Sequence, residues 1–327
     1  MEEQQPKKIN LPLAVAILAV VAVASVLIFI QIGKNGPESK LQLANSYLEE
    51  GVANGTKEGA SLKARELLLE VENTGYKSAY LYELLGYSAL IISDSERALA
   101  YYDKAEKAIT MSTDNSVKAR IYAAQGKMNV DPKTSEEYLL KALKLSDSNS
   151  FKSELYADLS SARYLQNDLP KAIEYVEMAV KTDQSNAFGY IAYAKAAISD
   201  RDFLQKNAQK VEGYLVKAIF LAPRNAEPQY WMGKLDTVFG KYDLAVKSYD
   251  TAAKLLVKDS TMSVQAKASL MSDIFFDESI VYFLKEDPKY KEFFREAFRL
   301  NPTKTLYRVR ENPALKDMMT DFVSKTT

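Results

Sequence analysis

Apolar residues along most of this chain return at intervals of three and four, the period that keeps them on one face of an α-helix. Over that short period lies a longer one. A tyrosine and an alanine four residues apart recur as Tyr101/Ala105, Tyr138/Ala142, Tyr175/Ala179 and Tyr214/Ala218. The alanines step by 37, 37 and 39 residues, and Ala252 follows 34 later. Recurrence at this spacing predicts a stacked-repeat protein, each unit burying its apolar face against its neighbours rather than around one central core. The pattern divides the chain into units at 37–72, 79–112, 116–149, 153–186, 187–225 and 226–259. A further first helix is expected over 263–275, in a unit that closes at Ala297, Leu300 and Pro302. This gives about six or seven units over 37–302, followed by capping helices over 303–327.

Residues 11–32 follow a different pattern, LPLAVAILAVVAVASVLIFIQI, with no charged side chain. About twenty helical residues at about 1.5 Å rise cross about 30 Å of hydrocarbon, and a helix satisfies its own backbone in lipid. Pro12 falls in the first turn, where its missing N–H does least harm. A cleaved signal peptide is the competing reading, but its apolar region is usually about 7–15 residues. Cutting after Ala24 would leave 25–32 as an exposed apolar stub. The expectation is therefore a short tail over 1–10, one transmembrane helix over 11–32 and a linker over 33–36. Lys7, Lys8 and the amino terminus before the span, against Lys34 and Lys40 after it, weakly favour a cytoplasmic N-terminus. That orientation makes the protein a single-pass inner-membrane protein with its repeats in the periplasm.

The unit 226–259 is the clearest, and its residues resemble the tetratricopeptide repeat (TPR), a helix–turn–helix of about 34 residues. Met232 and Gly233 fall on the family's Leu-Gly pair, and Gly240 and Tyr242 on its turn. Ala245, Tyr249 and Ala252 fall on the small–aromatic–small pattern of its second helix. Gln229 stands where the family usually has tryptophan, and Trp231 lies two places later. In 79–112 the matches are Leu85-Gly86 and Ala98, Tyr102 and Ala105, with Ser93 in place of the turn glycine, so a different turn is expected. The unit 153–186 matches at Ala172, Ile173 and Ala179 and has Ser160 in place of the glycine. The unit 116–149 matches at Ala123 and Ala142, with Pro132 near its turn. The unit 187–225 matches at Tyr190 and Ala194, carries about five extra residues around 199–206, and ends in a typical inter-repeat turn, Leu221-Ala222-Pro223-Arg224-Asn225. In 37–72, with Ala44, Tyr47 and Ala64, a glycine-rich loop over 51–59 is expected between the helices. The resemblance implies an all-α, right-handed TPR-like solenoid preceded by a single transmembrane helix.

Composition narrows the function further. The chain of 327 residues has 43 Lys+Arg and 43 Asp+Glu, so no basic footprint for nucleic acid exists. Cysteine and histidine are absent, which removes thiol nucleophiles, disulfides, Ser-His-Asp triads and His- or Cys-based metal sites. Twelve glycines and ten prolines suit a nearly all-helical chain. No Walker loop or dinucleotide fingerprint is present. Carboxylate pairs such as Glu49-Glu50 and Glu136-Glu137 are common on solvated helices and do not by themselves indicate acid–base chemistry. The sequence Asn54-Gly55-Thr56 is a glycosylation sequon of the kind that arises often by chance. No enzyme, cofactor, metal or small-molecule substrate is expected.

The resemblance also implies where partners bind, because the family's first helices line a concave groove that holds peptides or partner helices. Carried across, this picks out Tyr80, Glu83, Tyr87, Arg120, Tyr164, Lys195, Tyr230 and Lys234. Tyrosine and arginine are enriched at binding hot spots, although buried tyrosines also serve packing. Some family members grip a partner's terminal carboxylate with Lys, Asn and Arg on these helices. Glu83 and Tyr87 occupy those positions here, so that clamp is not reproduced. Tyr101, Tyr138, Tyr175 and Tyr214 share a face with the small core residues and are expected to pack between helices. The function implied is a membrane-anchored scaffold that binds partner proteins in an envelope complex for secretion, pilus or motor assembly, or envelope biogenesis. A cytosol-facing client receptor and a subunit of a self-associating ring are the alternatives.

Overall fold

The computed structural model describes residues 36–54, 57–259, 262–311 and 315. The tail over 1–10, the apolar stretch over 11–32 and the linker up to 35 lie outside the described residues, as does most of 303–327. Among the described residues no helix is long and apolar enough to cross a membrane. The described chain is all-α, with fifteen helices.

They are α1 (Pro37–Asn54), α2 (Lys57–Asn73), α3 (Ala79–Ile91), α4 (Ser95–Lys107), α5 (Asn115–Met128), α6 (Pro132–Leu145), α7 (Asn149–Leu165) and α8 (Leu169–Thr182). There follow α9 (Ala187–Ile198), α10 (Arg201–Leu221), α11 (Glu227–Val238), α12 (Tyr242–Lys258), α13 (Val264–Leu284), α14 (Tyr290–Leu300) and α15 (Pro302–Glu311). Consecutive helices pack as seven hairpins, and each second helix also packs on the first helix that follows it. The last helix, α15, lies against both α13 and α14 and closes the stack.

Local chemistry sets the boundaries. Ser78, Asp94, Asp131, Ser148, Asp168 and Ser263 each accept a backbone N–H in the first turn of the helix they precede, satisfying donors that the helix itself leaves open. Pro132 does not disturb its unit, because it is the first residue of α6 and needs no N–H there.

The turn at Ser93 is retained rather than replaced. Ser93 has φ 61°, close to the 70° of Gly240 in the clearest unit. Asp94 N–H reaches Ala89 O at 2.9 Å, as Lys241 N–H reaches Asp236 O at 2.8 Å. Asn167 and Glu286 adopt the same left-handed turn, at φ 59° and 56°. One helix ending thus recurs in four hairpins, although only one has glycine at the residue that needs it.

Three expected boundaries shift. The loop over 51–59 is mostly helix, since α1 runs through Gly51 to Asn54 and α2 begins at Lys57. An interior glycine costs a helix about 1 kcal/mol, less than the burial of Leu41, Leu48, Ala64 and Leu68 returns along these two helices. The helix expected over 263–275 continues to Leu284, because Phe276 and Val281 extend its buried face and no glycine or proline intervenes. The extra residues around 199–206 lengthen α10 to 21 residues, and its added turn buries Leu204 beside Tyr193.

Small residues let the helices approach. An added Cβ on Gly86 would sit 2.9 Å from the Tyr102 ring, and one on Gly233 only 2.6 Å from the Tyr249 ring. Carbon contacts are normally about 3.5–4.0 Å. The Leu-Gly and Met-Gly pairs of the first helices therefore seat the aromatic of the second helix within the same hairpin.

Candidate functional site

The first helices form one wall of the molecule. Contacts run from α1 to α3 to α5 and from α7 through α9, α11 and α13 to α15. Between α5 and α7, Lys127 Nζ lies 3.0 Å from Asp158 Oδ2. Along this wall the predicted site residues separate into three groups.

Tyr80, Glu83, Tyr87 and Arg120 come together at the N-terminal end. They line a cleft of about 980 Å³ between α1, α3 and α5, with Gln42, Asn45 and Glu49 on its opposite side. Arg120 bridges α5 to α3 through two donors, Nε to Glu83 Oε1 at 2.9 Å and Nη2 to Glu83 Oε2 at 3.1 Å. Two parallel bonds fix the planes of both groups. Glu83 is buried, so this pair holds the floor of the cleft. Tyr87 is 37% exposed, enough to offer a ring face to a ligand. Burial, then the negative charges of Glu83, Glu154 and Glu49, push its phenol above the ordinary value. Burial and Glu83 act on Tyr80 in the same direction.

Tyr164 and Lys195 meet further along, in a smaller apolar-sided pocket of about 160 Å³ with Leu165 and Ala192. Tyr164 is exposed, and the Lys195 charge reaches Asp158, whose carboxyl is raised by burial.

Tyr230 and Lys234 belong to a third, closed arrangement. Tyr230 is 6% exposed and donates its hydroxyl to Asp277 Oδ2 at 2.7 Å. Lys234 reaches the same oxygen at 3.2 Å, and Arg308 of α15 bonds Oδ1 while its guanidinium lies 4.1 Å from the Phe276 ring centroid. Neighbouring cations and the Tyr230 hydroxyl hold the Asp277 carboxyl low against the opposing effect of burial. Here the groove positions tie three helices together, and Tyr230 presents little surface to a ligand.

No family model matches the chain, and no curated protein matches it in sequence. Among solved structures, yeast Tom70 aligns with a TM-score of 0.51 and 18% identity, over 85% of this chain and 67% of its own. The fold is TPR-like. PilF of Pseudomonas aeruginosa aligns at 19% identity over 67% of this chain and 91% of its own, with a TM-score of 0.45. A thermophilic TPR protein of Thermus thermophilus aligns at 18% identity over 56% of this chain and 90% of its own, with a TM-score of 0.46.

Three of the repeating tyrosines of this TPR-like stack, Tyr138, Tyr175 and Tyr214, pair with a ring across their hairpin. Ring centroids of Tyr138 and Tyr122 are 6.1 Å apart, those of Tyr175 and Tyr156 6.2 Å, and those of Tyr214 and Tyr190 5.1 Å. In three hairpins a lysine from the second helix covers such rings. Lys104 lies 5.5 Å from Tyr82 and 4.9 Å from Tyr101, Lys141 5.7 Å from Tyr122 and 4.8 Å from Tyr138, and Lys210 4.7 Å from Tyr193 and 5.7 Å from Tyr214. Lys104 also bonds Glu72 at 3.0 Å, and Lys210 bonds Glu177 at 2.8 Å, each one hairpin back.

Sequence reasoning passed over Gln42, Asn45 and Glu49 on α1 and Glu154 on α7. The available signal was register: α1 and α7 are first helices like α3, and their polar residues face the same side. Glu136, grouped in sequence with solvated carboxylates, is buried and accepts from Arg163 Nε at 2.8 Å.

Proposed function

We propose that this protein is a membrane-anchored scaffold that holds a peptide or helix of a partner protein in the concave groove of its TPR-like repeats. The observation carrying this reading is the N-terminal cleft, where Tyr80 and Tyr87 stand beside a fixed Glu83–Arg120 pair with space of about 980 Å³. Open space flanked by rigid aromatics and held polar groups is how anchored peptide recognition is built. The wider setting we propose is assembly or function of a bacterial envelope complex. Residues 11–32 serve as the single inner-membrane span, and the repeats lie in the periplasm. The uncharged 22-residue run supports the anchor. Tethering raises the domain's effective concentration beside membrane machinery.

Affinity capture with the full-length chain from native membranes, compared with its Tyr87→Ala variant, tests the docking role. A partner retained by the parent and lost from the variant is expected, and equal recovery with both contradicts it. Protease accessibility tests the topology. Digestion of the repeats after outer-membrane opening alone is expected, whereas protection until the inner membrane is lysed places them in the cytosol.

A further inference from the structure

Several acids along the first-helix wall are matched to bases. Glu83 is held by Arg120, Asp158 by Lys127, Asp273 by Lys304, and Asp277 by Lys234 and Arg308. Two acids near the cleft have no such base. Glu49 accepts from Asn45 Nδ2 at 2.8 Å but forms no ion pair with a described residue. Glu154 forms none with a described residue either; Lys127, whose charge reaches it, is bonded to Asp158. Glu49 on α1 lines the cleft together with Tyr87 on α3, and the charge of Glu154 on α7 also reaches Tyr87. Of the two cations lining the cleft, Arg120 is engaged with Glu83, and Lys77 is on the exposed rim.

The same molecule shows what completes such a set. Lys104 rests on Tyr82 and Tyr101 while bonding Glu72, and Lys210 rests on Tyr193 and Tyr214 while bonding Glu177. In each, an ammonium group takes both a ring face and a carboxylate. At Tyr87 the ring and the carboxylates are present, and no lysine of the described chain lies over that ring.

We propose that the N-terminal cleft recognises a partner segment through a lysine or arginine side chain, which lies over Tyr87 and pairs with Glu49, with the Glu154 charge adding to its attraction. This rests on the docking role proposed above and adds the chemistry of the ligand. Charge complementarity selects a basic segment over an acidic one, because a carboxylate placed there meets like charge from three helices.

The test uses the full-length chain in detergent micelles, panned against phage-displayed random dodecapeptides. Selected peptides are then measured by fluorescence anisotropy. The expected result is enrichment of Lys or Arg at a fixed position, and a loss of about tenfold in affinity when that residue becomes Gln. Glu49→Gln with Glu154→Gln should cost a similar factor, and combining it with the peptide change should add little. These isosteric changes lie at exposed or half-buried positions, and matching unfolding curves establish that the fold is intact. Selection of neutral or acidic peptides whose binding still depends on Tyr87 overturns the basic-ligand inference and leaves groove docking standing. Selection of peptides indifferent to Tyr80, Tyr87 and both carboxylates overturns groove docking as well.

Discussion

The same substitution should have opposite effects at two helical glycines. Gly233 lies in α11 against Tyr249, and an alanine Cβ there would meet ring atoms at 2.6, 2.7 and 3.0 Å. Carbon contacts sit at about 3.5–4.0 Å, so either the ring or the helix must move by close to an ångström. Tyr249 is 1% exposed, with Thr237 Oγ1 at 3.2 Å from its hydroxyl, so the ring has no free volume to enter. Overpacking of this kind costs about 1–3 kcal/mol, against a helix-propensity gain of about 1 kcal/mol. The net expectation for Gly233→Ala is a loss of up to about 2 kcal/mol. Gly213 lies mid-way along α10 on its exposed face, with nothing within 4 Å of an added Cβ. Gly213→Ala should therefore gain about 0.5–1 kcal/mol. Urea unfolding followed by far-ultraviolet circular dichroism gives the two midpoints. Repeat stacks can open unit by unit, so hydrogen exchange of α11 and α12 amides localises the effect. Equal shifts of the same sign would refute the claim that the first-helix glycine exists to seat the second-helix ring.

Three further outcomes follow from named contacts. Ser93→Gly relieves a left-handed residue and should stabilise by about 0.5–1 kcal/mol in the same unfolding assay. Asp277→Asn leaves Arg308 and Lys234 without their shared anion; it should cost about 2–4 kcal/mol and speed exchange in α15 before the rest of the stack. Glu278 is buried in α13, where desolvation and then the Asp250 charge push its carboxyl from 4.5 up to about 8. The folded state thus holds a proton that the unfolded chain releases. Stability from this group is full below about 4.5, falls as pH rises towards 8, and is flat above. Glu278→Gln should remove that slope, on the order of 5 kcal/mol between the two limits, as read from urea midpoints at acid and mildly alkaline pH.

The hairpin repeat was legible because packing writes directly into sequence. Ala105, Ala142, Ala179, Ala218 and Ala252 are all fully buried where helices meet, and only small residues serve there. Conformation at single turns was less legible. Ser93 and Glu286 have no intrinsic preference for positive φ; their turns are set by flanking caps and by the hydrogen bonds of the preceding helix. Helix length in α13 escaped notice because the repeat template ends earlier than the buried face does. At the candidate site, the first-helix positions taken from the family include Tyr80, Glu83, Tyr87 and Arg120, which the structure brings together in one cleft. Helix register says nothing about Tyr230, whose surroundings depend on Asp277, 47 residues away, and on Arg308 in the capping helix. Nor does it show which carboxylates go unpaired, since that depends on where every lysine of the adjoining hairpins is spent.

The central claim is that partners dock in the N-terminal cleft of the first-helix wall. Site-specific photo-crosslinking in native membranes tests it directly, with the photoreactive residue placed at Gln42 in the cleft or at Leu140, exposed on α6. A discrete adduct to another protein from Gln42, absent from Leu140 and suppressed by Tyr87→Ala, is the predicted result. Adducts from Leu140 with none from Gln42 would contradict it and move the binding surface to the second helices.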